Sequence, residues 1–81
     1  MIRCGHYDYI ELVCLFRYPI ELTLKSGEVM TGVARDTVRN QAREECILLC
    51  GETGEALIIL DRIHKLKVLV ENPHLKEVVL E

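Results

Sequence analysis

The sequence predicts a mainly β (α+β) chain: an N-terminal helix, then a strongly bent antiparallel sheet of five or six strands that closes as a small barrel. Three observations carry this expectation. Apolar residues recur at helical spacing only before Pro19, alternation or short apolar runs fill the remainder, and Gly- or Pro-containing turns separate those runs. At 81 residues, 49% hydrophobic and 28% charged, the chain has the length of one domain (1–81) and an ordinary globular composition. Its formal charge is −3, from 10 Lys and Arg against 13 Asp and Glu. That balance argues against direct nucleic-acid binding, because neutralising phosphates takes Lys and Arg. No apolar run approaches the ~18 residues of a membrane helix, and no basic-then-apolar start resembles an export signal. A cytoplasmic setting with no membrane partner is expected.

Residues 6–18 read as the helix. Asp8 is expected to cap it, with Glu11 reaching back in an Asp variant of the capping box, and Pro19 ends it. Tyr9, Leu12, Val13 and Phe16 form the expected buried stripe, widened by Ile10 and Cys14. Residues 20–25 alternate as a half-buried strand, Ser26-Gly27 turns the chain, and residues 28–34 return antiparallel. Gly32 predicts a bend or bulge within that second strand. Residues 36–45 are polar and aperiodic and read as a loop. Residues 46–50, 55–60 and 63–70 read as three further strands, with a turn at Gly51–Gly54. Asn72-Pro73 breaks the chain, and residues 75–80 add a short last strand.

No catalytic constellation emerges, so no enzyme activity is expected. The single serine, Ser26, sits in a turn that favours its type. Cysteines 4, 14, 46 and 50 match no common structural zinc spacing, and neither a metal nor another cofactor is expected. Without an export segment they read as reduced, small hydrophobic residues; Cys46 and Cys50 fall too far apart along a strand to bridge. The informative surface is the helix side that the expected core leaves free. Asp8, Glu11, Leu15 and Tyr18 line one outer seam, a mixed acidic and apolar patch suited to a basic partner with exposed apolar spots. Arg39, Asn40 and Arg43 in the polar loop offer a possible secondary contact, since Arg presents a rigid fork of donors.

The run Cys4-Gly5-His6-Tyr7-Asp8-Tyr9-Ile10-Glu11-Leu12-Val13-Cys14 resembles the opening of the Rho-binding antiterminators, the Rof family of small bacterial proteins. Leu22-Thr23-Leu24-Lys25-Ser26-Gly27-Glu28, Leu60-Asp61-Arg62-Ile63 and the tail Asn72-Pro73-His74-Leu75-Lys76-Glu77-Val78-Val79 are similar to the same family. The Cys-x-x-Tyr-Asp-x-x-Glu start is the most distinctive part. The resemblance implies an Sm-like fold and no enzymatic activity. It implies binding to the transcription termination factor Rho, over its primary RNA-binding site, so that the transcript cannot load. It also implies that acidic groups at the helix start meet basic groups on Rho. The matching positions here are Tyr7, Asp8 and Glu11, which with Leu15 and Tyr18 make up the expected partner-binding set. The chain is then expected to be a monomer when free and to bind no nucleic acid directly.

Two other readings make different predictions. An Sm-like protein acting directly on RNA is supported by the five-residue offset of Gly27 and Gly32, but Asp36 follows Gly32 too closely to line the RNA pocket of that family. A redox or metal sensor built on the four cysteines is the other.

Overall fold

In the computed structural model, which describes residues 4–80, helix α1 spans Cys4–Leu15. It starts earlier and stops sooner than the sequence predicts. Asp8 therefore lies inside the helix and is not its cap. Nor does Pro19 end it directly. Arg17 adopts a left-handed φ of 51°, while Tyr18 N–H donates to Val13 O (3.0 Å) and Arg17 N–H to Cys14 O (3.1 Å). This pair of bonds is the Schellman ending, which satisfies the last carbonyls and reverses the chain at Arg17.

Six strands follow: β1 (Pro19–Leu24), β2 (Val29–Arg39), β3 (Glu45–Gly51), β4 (Gly54–Ile59), β5 (Ile63–Val68) and β6 (Glu77–Val79). A single 3-10 turn, Leu60–Arg62, joins β4 to β5. All pairings are antiparallel, in the order β4-β3-β2-β1-β5-β6. The sheet is open, with β4 and β6 at its two edges, so the expected barrel is not closed by hydrogen bonds. β2 explains the curvature. Residues 29–33 pair with β1, whereas 33–39 pair with β3, so the strand changes partner midway.

Gly32 and Arg35 make that change possible. A Cβ on Gly32 would stand 2.8 Å from Cys50 O and 2.9 Å from Leu49 Cγ, so only hydrogen fits where β3 crosses. The bulge itself falls at Arg35, where the register shifts between Ala34 and Asp36. It resets the alternation, and the strand continues to Arg39 through residues that read as loop. Only 40–44 remain outside the ladder, tied by Asn40: its Oδ1 accepts from Ala42 N–H (2.9 Å) and Glu44 N–H (3.0 Å).

The core lies between α1 and the sheet. Ile10 and Val13 from the helix are fully buried, as are Ile20, Leu22, Ile47, Ile63 and Leu66 from the strands. Cross-strand partners share a face, and Ile20 sits between Gly32 and Val68 while Leu22 sits between Met30 and Leu66. The helix is rotated from its expected phase. Ile10, Val13 and Cys14 are buried, Leu12 is half-buried, and Tyr9 and Phe16 are exposed.

Candidate functional site

At 3.6 residues per turn, the side of α1 opposite Ile10 and Val13 carries Asp8, Glu11 and Leu15. All three are exposed, Leu15 the most at 77%. Asp8 and Glu11 have no hydrogen-bond or ion-pair partner among the described residues. Unpaired carboxylates beside an exposed leucine present charge and apolar area that the fold itself does not use.

Tyr18 does not join this surface as the sequence predicts. It is half-buried and packs against the core, since the Schellman turn swings the chain from α1 into β1. Its outer neighbour is Phe16, with ring centroids 5.4 Å apart and planes 19° from parallel. On its other side Phe16 stacks on His74 at 4.9 Å and 22°. His74 arrives from the loop between β5 and β6, which one side chain organises. Asn72 Oδ1 accepts from His74 N–H (2.9 Å) and Leu75 N–H (3.0 Å), and Asn72 Nδ2 donates to Val70 O (3.0 Å) and Leu75 O (2.9 Å). The sequence does not pick out Phe16 or His74 as surface residues. Phe16 reads as core at helical spacing, and the contact with His74 spans most of the chain.

Tyr7 is half-buried and packs against the core. It lines an open cleft of about 370 Å³ together with Arg39, Arg43, Glu44, Glu45, Leu60 and Asp61. Tyr7 and two of the three residues of the expected secondary contact are thus brought to one place, around the helix start. Arg39 is paired with Glu45 at 3.4 Å. Arg43 holds a left-handed φ of 63° in the loop that Asn40 ties. Three carboxylates against two guanidinium groups leave the cleft without a cationic excess.

The side chain of Cys4 lies outside the described residues. Cys14 and Cys46 are buried and Cys50 is half-buried, all as free thiols. Burial pushes the Cys14 thiol from 9.0 up to about 11, and the negative charges of Asp36 and Glu11 add to the shift. Such a thiol stays protonated and inert at neutral pH. Among the described residues no three His, Cys, Asp or Glu side chains gather closely enough to hold a metal ion. None of their helices is long and apolar enough to cross a membrane.

The sequence matches, over residues 1–80, the family described as modulator of Rho-dependent transcription termination (ROF). Among solved structures, YaeO bound to magnesium from Vibrio cholerae O395 is 48% identical and superposes with a TM-score of 0.90, covering 93% of this chain and 97% of that one. A comparison with curated proteins finds no match. With nearly the whole sequence matched and the helix-plus-sheet architecture shared, this chain belongs to the Rof family of modulators of Rho-dependent transcription termination.

Proposed function

We propose that this protein inhibits Rho-dependent termination by binding Rho and covering its primary RNA-binding site with the acidic side of α1. The observation that carries the reading is the pair of exposed carboxylates, Asp8 and Glu11, which have no partner among the described residues and stand beside the exposed Leu15. A groove built for RNA is lined with Lys and Arg. Carboxylates placed against those cations stand in for phosphates and form charge-assisted hydrogen bonds with them. Leu15 adds apolar burial at the centre of the contact, where charges alone would cost desolvation without return. Tyr7, at the rim beside Asp8, contributes its ring from the cleft it lines. Acting on the transcription machinery, the protein works in the cytoplasm as a binding module and not as an enzyme.

A labelled RNA released from Rho on addition of this protein, with no RNA bound by the protein alone, is the expected result. RNA that stays on Rho at saturating protein would defeat the proposal. A direct RNA-binding reading has one feature in its favour, the two arginines beside Tyr7. The excess of carboxylates in the same cleft weighs against it, and a gel shift with pyrimidine-rich RNA separates the two.

A further inference from the structure

Resting on that reading, we infer that the ring column Tyr18–Phe16–His74 is the other half of the partner-binding surface, standing in for stacked nucleobases where Asp8 and Glu11 stand in for phosphates. A groove that grips a single strand has two components, cations that follow the phosphates and aromatic side chains on which bases stack. A competitor that brought carboxylates alone would satisfy the first and leave the second facing water. This chain carries both. Phe16 is nearly parallel to each neighbour, 19° from Tyr18 and 22° from His74, at centroid distances of 5.4 and 4.9 Å. Offset stacking of this kind is a favoured arrangement of aromatic rings.

Tyr18 is the core-packed base of the column, and three features separate its outer part from ordinary packing. Phe16 remains 49% exposed and stands outside the buried cluster, so the core does not require a ring there. Next to it in sequence, Leu15 is 77% exposed, so two large apolar side chains in a row face solvent at the end of α1. The rings are also held in advance. Tyr18 is fixed by the Schellman turn, and His74 by the hydrogen bonds of Asn72. A platform ordered before binding loses little conformational entropy when a partner arrives. Around the helix Leu15 shares the side of Asp8 and Glu11, and Phe16 follows it by one residue, about 100° further round, so a groove that meets both halves wraps the end of α1.

The test measures Rho binding by the full chain and by three variants, with thermal unfolding of each as the control for folding. Phe16→Leu, which keeps an apolar group but removes the ring, is expected to weaken binding about tenfold, the scale of one lost stacking contact. His74→Ala is expected to weaken it about threefold, and Phe16→Tyr to bind within about twofold of wild type. If wild type binds Rho while Phe16→Leu and His74→Ala bind equally well, the ring column is overturned and the carboxylate reading stands. A wild type that does not bind Rho overturns both. RNA retained by the protein alone, and lost in Phe16→Leu, would make the rings a direct RNA platform and also overturns the inference.

Discussion

His74 stacks on Phe16 at 4.9 Å, joining the loop between β5 and β6 to the end of α1. The contact brings the last third of the chain against the end of its first element. It depends on Asn72, which shapes the loop through both ends of its amide.

Asn72→Ala is expected to lower stability by about 1–2 kcal/mol, since it removes hydrogen bonds of which part are shielded from solvent. Chemical denaturation reads the loss. Amide exchange at His74 and Leu75, whose N–H groups donate to Asn72, should accelerate more than exchange in β1 and β2.

Gly32→Ala is expected to destabilise the fold by about 2 kcal/mol, because the added methyl meets backbone and cannot be relieved by a rotamer change. The obstructing atoms are Cys50 O at 2.8 Å and Leu49 Cγ at 2.9 Å. The same change at Gly51, where the nearest atom is 3.4 Å away, should cost less. Equal unfolding midpoints for the two variants would contradict the close approach of β3 to β2.

Cys14 links stability to pH at the alkaline end. Its folded value is raised from 9.0 to about 11, so between those limits the folded chain keeps a proton that the unfolded chain releases. The contribution is complete below about pH 9 and is lost as pH rises through about 11. Wild type should therefore lose more stability than Cys14→Ala between about pH 8 and pH 10.5. In a native thiol titration near neutral pH, the half-buried Cys50 should react before the buried Cys14 and Cys46.

Leu15→Ser tests the apolar part of the helix surface apart from its charge. With Leu15 77% exposed, stability is expected to change by less than about 0.5 kcal/mol. Rho binding should fall by about tenfold, as for an apolar anchor removed from the middle of an interface.

Much of this was legible in the sequence, and the errors have physical causes. The helix was visible because two apolar stripes run along it, but Tyr9, Leu12 and Phe16 make as regular a stripe as Ile10, Val13 and Cys14. Only packing against the sheet decides between them. Asp8, Glu11 and Leu15 fall outside the core in either phase, so their exposure was predictable although the phase was not. The second half of β2 was hidden because the bulge at Arg35 breaks the alternation. Its polar residues are carried by pairing with the apolar β3, a tertiary effect that overrides local pattern. The number of short strands predicts a closed sheet, whereas β4 and β6 end as separate edges. The ring column left no local signal at all, because its members come from opposite ends of the chain.

The most direct measurement is the affinity of Rho for the Asp8→Lys, Glu11→Lys double variant, taken at about 50 and 300 mM salt beside wild type. Wild type should bind at low salt and weaken as salt rises, while the variant, still folded by thermal melting, should fail to bind at either. A folded variant that holds Rho as tightly as wild type would contradict the central claim that these two carboxylates occupy the place of RNA phosphates.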